Sequence, residues 1–157
     1  EQLMAQKTAR FLSLLETELP TPMPGAYELL RDMQQSELAV ALVTGSYRKE
    51  IEPVLDSLGW RDFFPLIITR DDVQNAKPHP EPYLTALERL NFSAGECLAL
   101  EDSATGIRSA HDAGLTVLAI STPHTTLAHD VGYSALFFSL PEVGEHVRQL
   151  LLPPSRH

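Results

Sequence analysis

At 157 residues the chain is one domain's worth of material, and 12 basic against 21 acidic residues leave a formal charge of −9. That balance argues against a nucleic-acid or anionic-membrane surface, while a small anionic substrate stays open because a local cation can outweigh the global sign. The single cysteine, Cys97, permits no internal disulfide and fits a reducing, cytoplasmic compartment; no apolar run has the length of a membrane span, and no signal-peptide pattern is seen.

From Gln2 to Leu19, the residues Met4, Phe11, Leu12, Leu15 and Leu19 keep helical spacing. Pro20, Pro22 and Pro24 end that helix, and Gly25 completes a stiff connector. Ala26, Leu29, Leu30 and Met33 predict a second amphipathic helix. Leu38 to Val43 reads as a buried strand running into Thr44-Gly45-Ser46. Ile51, Val54, Leu55 and Leu58 form the next helical stripe, which Gly59 is placed to cap. Pro53 is awkward there and demands either a helix start later than Arg48 or a bend.

Leu66 to Thr69 predicts a second strand, followed by a polar loop from Arg70 to Pro80 that holds Lys77. Tyr83, Ala86, Leu87 and Leu90 repeat the helical spacing, with Pro82 tolerated in a first turn. Cys97 to Leu100 is a third strand ending in Glu101-Asp102, and the helix after it buries Ile107 and Ala110 and stops near Gly114. Thr116 to Ile120 and Leu136 to Phe138 are the fourth and fifth strands. A last helix carries Val143, Val147, Leu150 and Leu151, and a disordered tail is expected after Pro153. Alternating strands and helices predict an α/β fold, a doubly wound and mostly parallel sheet with helices on both faces.

Three strand ends carry the chemistry. Thr44-Gly45-Ser46 offers hydroxyls and backbone N–H groups that either hold a phosphate at a helix N-terminus or merely cap that helix. Lys77 lies in Asn75-Ala76-Lys77-Pro78-His79-Pro80, where prolines restrain the loop and a held ammonium suits a transferred phosphoryl group. Glu101-Asp102 is a carboxylate pair that repels itself unless a cation joins it; a hard ion such as Mg²⁺ takes such oxygens, and helix capping is the alternative. His79 either donates to a substrate or stands outside the site, and Asp71 and Asp72 either bind metal or form a polar turn.

The ordered set Val43-Thr44-Gly45-Ser46, Lys77-Pro78-His79-Pro80 and Leu100-Glu101-Asp102-Ser103-Ala104-Thr105-Gly106-Ile107 resembles the haloacid dehalogenase (HAD) superfamily of phosphotransferases. The similarity is to its β-phosphoglucomutase and phosphoglycolate-phosphatase-like branch, where a helical cap follows the first strand. Ala113-Gly114 before the strand Val117–Ile120 matches the same branch, so the resemblance covers Pro20 to Leu140. It implies a Rossmann-like core and a Mg²⁺-dependent phosphatase for a small phosphorylated metabolite, acting through an aspartyl-phosphate. By that resemblance Thr44, with Gly45 and Ser46, binds phosphoryl oxygens, and Lys77 bridges phosphoryl group and nucleophile. Asp102 ligates Mg²⁺, and Glu101 is its direct or water-mediated partner. Residues 1–19 correspond to the last cap helix, 20–152 to the HAD-like core and 153–157 to the tail.

One departure is severe. Members of the family carry Asp-x-Asp at the end of their first strand, and no Asp-x-Asp occurs in these 157 residues. The resemblance therefore implies a nucleophile-bearing segment outside this sequence, and a first residue of Glu1 rather than methionine fits a processed or trimmed chain. The strand concerned belongs between those ending at Thr44 and Glu101, so two inner edges are expected to stand unpaired. The expected source is an amino-terminal fragment of the same protein, with a strand-exchanged copy or a rearranged sheet as the alternatives, and the 157-residue chain alone is expected to be inactive. A non-catalytic shortened relative that binds metal or anion, or serves as an interaction module, remains open. So does a receiver-like domain, although that would want an acid where Thr44-Gly45-Ser46 stands. Lys7 and Arg10, on the polar side of the cap helix, either reach a substrate or form a solvated face.

Overall fold

A computed structural model describes residues 2–15, 18, 20–123, 125, 127 and 132–151. Its helices and strands alternate in the predicted order: α1 (Gln2–Leu15), α2 (Ala26–Gln35), β1 (Ala41–Val43), α3 (Arg48–Leu58), β2 (Leu66–Ile68), α4 (Glu81–Leu90), β3 (Leu98–Glu101), α5 (Ala104–Asp112), β4 (Thr116–Ile120), β5 (Ala135–Phe137) and α6 (Leu140–Leu151). The expected tail at 153–157 lies outside the described residues. Gly59 ends α3 in the left-handed conformation its position predicts, with φ of 66° and its N–H returned to the Asp56 carbonyl. Asn91 closes α4 in the same way, at φ 58°.

The ends of β2, β3 and β5 each differ from expectation by one residue, and of the two alternatives at Pro53 the later helix start is not seen. The α3 helix starts at Arg48 and runs through Pro53, so the Lys49 carbonyl loses its intrahelical donor. The β1 strand is half as long as predicted. Only Ala41, Leu42 and Val43 find ladder partners, in Leu66, Ile67 and Ile68, and Leu38 to Val40 stay outside the ladder.

Every named strand pairing is parallel, as strands joined by crossover helices require. Helices cover both faces. On one, Ala99, Val117 and Ala119 pack with Tyr83 of α4 and with Ile107 and Ala110 of α5. On the other, Leu118 packs with Met33 of α2 and with Val143 and Val147 of α6. Neighbouring residues of β4 thus enter opposite clusters, which is the strand period of two expressed as a doubly wound core.

The strands nevertheless fall into two sheets, β1-β2 and β3-β4-β5. Among the described residues no ladder joins β1 to β3. Both instead line a cavity of about 630 Å³, walled by Met33 and Val143 on one face and by Tyr83 and Leu87 on the other. Leu98 and Leu100 are 39% and 36% exposed, although strands of a parallel sheet covered on both faces normally bury such side chains. The inner edge of each sheet therefore keeps a row of backbone groups without ladder partners beside an apolar slot. Full burial of each apolar side chain contributes ~1.5–3 kcal/mol, so an open slot withholds a good part of a domain's usual ~5–15 kcal/mol. The isolated 157-residue chain is expected to melt below ~60 °C and to bind a hydrophobic dye. A cooperative transition of the monomer above that temperature, with no dye bound, would refute this.

Candidate active site

The loops after β1, β2 and β3 all leave the carboxyl ends of parallel strands, so they meet at one edge, where open α/β sheets bind ligands. Lys77 reaches into that meeting point. Its ammonium donates to the Val43 carbonyl at 2.9 Å and to Oε1 of Glu101. Neither side chain is free in solvent: Lys77 is 13% exposed and Glu101 is 8% exposed. Tyr83 from α4 donates its hydroxyl to the same Oε1, and its ring centroid lies 5.0 Å from Nζ of Lys77. Burial, and then the negative charge of Glu101 and Asp102, pushes the Tyr83 phenol far above its ordinary range, so it stays a donor.

The loop that delivers Lys77 is tied down on both sides. Glu81, in the first turn of α4, accepts from the backbone N–H groups of Gln74 and Asn75 at 2.7 and 2.9 Å. The fully buried Ser109 of α5 donates to the His79 carbonyl at 2.6 Å. The Lys77–Pro78 peptide is cis. The imidazole Nδ1 of His79 accepts from the Glu81 N–H at 3.1 Å, at the start of α4.

At the end of β1, Thr44 and Ser46 do not cap α3, whose N-cap is Tyr47. The Arg48 N–H goes to Asp71 at 2.8 Å and the Tyr47 N–H to Glu50 at 2.9 Å, so that helix end is already served by carboxylates. Ser46 gives its N–H to Oγ1 of Thr44 at 3.1 Å. What Thr44-Gly45-Ser46 still offers an anion is therefore narrower than a whole helix end. It consists of the Thr44 and Ser46 hydroxyl protons and the Gly45 N–H, which has no partner among the described residues.

The carboxylate pair is likewise not a cap. Ser103 caps α5, accepting from the Gly106 N–H at 3.1 Å. Asp102 is exposed, and its carboxylate takes no hydrogen bond from any described residue. An open carboxylate beside a second one suits a hard divalent ion in donor chemistry. No group of three or more His, Cys, Asp or Glu gathers among the described residues, so further oxygens have to come from water or a bound phosphate.

Asp71 and Asp72 have structural duties. Besides the Asp71 cap on α3, Asp72 accepts from the Thr69 hydroxyl at 2.7 Å, from Arg48 at 2.8 Å and from Arg89 at 3.2 Å, pinning α3, β2 and α4 together. Burial raises the Asp72 carboxyl, but the Thr69 hydroxyl and N–H together with Arg48 outweigh it and hold it at about 2, below its ordinary 3.8. The folded pKa is the lower one, so this stability is present above about pH 4 and is lost as pH falls through about 2. Its size is about 2 kcal/mol. Urea titrations of the Asp72→Asn variant should show a loss of that order near neutral pH and a flatter stability profile between about pH 4 and 2. A parallel profile for variant and parent would refute the assignment.

Periodicity marks Tyr83 as a core residue and says nothing of its hydroxyl. Its tie to Glu101 spans 18 positions and depends on how α4 crosses the end of β3. Ser109 was equally hidden, as a small residue on a helix face. The one available signal was for Tyr83, which sits on the helix directly after the Lys77 loop.

Residues 1–120 match the protein family described as haloacid dehalogenase-like hydrolase. The validoxylamine A 7'-phosphate phosphatase of Streptomyces hygroscopicus subsp. limoneus is 32% identical over 121 residues, which cover 77% of this chain and 57% of that protein. A mutant of CbbY from Rhodobacter sphaeroides, solved in complex with xylulose-(1,5)-bisphosphate, superposes with a TM-score of 0.84 at 28% identity, covering 91% of this chain and 65% of the other. A HAD family hydrolase from Deinococcus radiodurans R1 with bound phosphate and sodium gives a TM-score of 0.75 at 25% identity, covering 86% and 63%. The chain thus spans 57–65% of the length of these proteins.

Proposed function

The chain belongs to the haloacid dehalogenase-like hydrolases, and on that footing we propose that it forms most of the core of a Mg²⁺-dependent phosphatase for a small phosphorylated metabolite. The observation that carries this reading is the Lys77 ammonium held between the Val43 carbonyl and Glu101, next to the open Thr44 loop and the open Asp102 carboxylate. Residues 20–152 serve as the core and 1–19 as the last helix of a cap, consistent with α1 lying against α3. Named relatives that are phosphatases, and a neighbour in complex with a sugar bisphosphate, favour a phosphorylated small molecule over a macromolecule. One cysteine and no described helix long and apolar enough to cross a membrane accord with a cytoplasmic setting.

In this reading Thr44 and Ser46 donate their hydroxyls, and Gly45 its N–H, to the non-bridging phosphoryl oxygens. Lys77 neutralises the charge that spreads over those oxygens as the bond to the leaving group stretches. Asp102 holds the Mg²⁺, which supplies charge neutralisation and orientation of the phosphate. The nucleophile is an aspartate from outside these 157 residues, carried on a strand that fills the slot between β1 and β3. Its carboxylate oxygen bonds to phosphorus as the ester P–O bond breaks, and the second aspartate of the same outside segment gives its proton to the leaving alkoxide and regains one from the water that attacks next. Water then cleaves the aspartyl-phosphate to phosphate and free aspartate. Absence of Asp-x-Asp from the sequence given favours, as the second reading, a non-catalytic anion- or metal-binding module.

The test uses the chain with and without a supplied amino-terminal segment. With the segment, p-nitrophenyl phosphate should be turned over in the presence of Mg²⁺. Lys77→Ala and Asp102→Ala should each cost at least ~10²-fold in kcat, the scale of losing one preorganised charge-stabilising group. The 157-residue chain alone should release no phosphate. Turnover by that chain, abolished by Asp102→Ala, would overturn the need for an outside nucleophile, and no turnover in either form would favour the second reading.

A further inference from the structure

Lys77 stands in the middle of a closed ring of backbone. The Glu81 carboxylate reaches back from the first turn of α4 to the N–H groups of Gln74 and Asn75 and, at 2.8 Å, to the side-chain amide of Asn75. Inside the ring the His79 N–H returns to the Ala76 carbonyl at 3.0 Å, and Pro78 and Pro80 fix two more backbone torsions. The stretch from Gln74 to Glu81 is thereby stiffened into one piece, and the reach of the lysine depends on how that piece is fastened to the core. Its outer side gives little support, because an open hollow of about 640 Å³ lies there, lined by Asn75 and His79 of the loop and by Arg108 and Asp112 of α5. Among the described residues a single hydrogen bond joins this stretch to α5, from the Ser109 hydroxyl to the His79 carbonyl. Ser109 is fully buried, as are Ile107 and Ala110 of the same helix.

We propose that Ser109 is a positioning residue for Lys77: its buried hydroxyl fixes the His79 carbonyl, sets how far the stiffened loop stands from α5, and so holds the ammonium in place. A serine inside a helix has a nearer acceptor in the carbonyl four residues back, here that of Thr105, yet Ser109 donates to a carbonyl 30 positions away in sequence. A displaced loop would strand that hydroxyl without a partner in a buried setting, which is costly, so serine and loop are energetically coupled. The helix cannot follow a displaced loop, since Ile107 and Ala110 are seated in one core cluster with Val117 and Ala119 of β4. The loop is thus referred to the core through one side chain that itself makes no hydrogen bond to Lys77. The consequence for catalysis rests on the phosphatase reading above, while the anchoring of the lysine does not.

Two measurements separate the anchor from its use. On the 157-residue chain, reductive methylation followed by peptide mass spectrometry compares Lys77 with the exposed Lys49. Ser109→Ala removes the hydroxyl, suits a helix interior, and should speed Lys77 relative to Lys49 about fivefold, the scale of one hydrogen bond. Amide exchange in β4 should stay as in the parent, which distinguishes a loosened loop from a loosened core. With the amino-terminal segment supplied, Ser109→Ala should lower kcat on p-nitrophenyl phosphate ~10-fold and leave KM within ~2-fold, as expected for a misplaced charge-neutralising group. Added to Lys77→Ala it should cost nothing further, because the serine acts only through the lysine. Unchanged Lys77 labelling in Ser109→Ala, or a rise matched by faster exchange in β4, would overturn the anchor. A loss of kcat as large in the Lys77→Ala background as in the parent would overturn its use in catalysis. If the assembled parent shows no turnover, the phosphatase reading fails, and the labelling rates decide the anchor.

Discussion

The Lys77 ammonium joins two halves of the protein that the backbone leaves apart. The Val43 carbonyl it contacts ends the strand of one sheet, and the Glu101 carboxylate ends the strand of the other. No ladder links those strands among the described residues, so the lysine is a polar tie across the gap at its carboxyl end. Ser109 and Glu81 hold the loop that delivers it, and the Thr69–Asp72–Arg48 node anchors the start of that loop to α3. A displacement of the lysine would thus be felt in both sheets.

A buried ion pair is a poor device for stability, because desolvating both charges offsets most of their attraction. Here the accompanying contacts change that balance. The ammonium has a backbone carbonyl and an aromatic face besides its carboxylate, and the carboxylate has a phenol besides its ammonium. No buried side-chain nitrogen or oxygen among the described residues lacks a hydrogen-bond partner. Such satisfaction is characteristic of groups kept for their position, and it leaves Asp102 as the carboxylate exposed to whatever enters from solvent.

The architecture was legible because its signals are local. Apolar runs at Thr116–Ile120 and helical stripes such as Ala26, Leu29, Leu30 and Met33 report burial within a few residues, and Gly59 announces its own backbone conformation. Thr44, Lys77 and Glu101-Asp102 could be picked out because reactive residue types follow strands. Less local matters were harder to read. The length of β1 depends on a partner 25 positions away, at Ala41 and Leu66, which no pattern within Leu38 to Val43 could limit. Whether Ser103 or the acids capped α5, and whether Asp71 or Thr44 served α3, were competitions between adjacent groups that only geometry decides. Tyr83 escaped for the reverse reason, since aromatic bulk reads as packing.

The two inner strand edges also bear on handling of the protein at high concentration. Natural sheets discourage edge-to-edge association with lysines, prolines, bulges or a covering element along an exposed edge. Ala41-Leu42-Val43 and Leu98-Ala99-Leu100 carry none of these side chains, and the first charge on either is Glu101, turned inward to Lys77. Only Glu37 and Glu96 among the residues lining the slot are charged, so a segment of another molecule would meet no charge along the two strand stretches themselves. Anything that filled that space would therefore act as a gatekeeper against self-association as well as a structural element. Solubility of this polypeptide is accordingly tied to how fully the slot is occupied as well as to its formal net charge of −9.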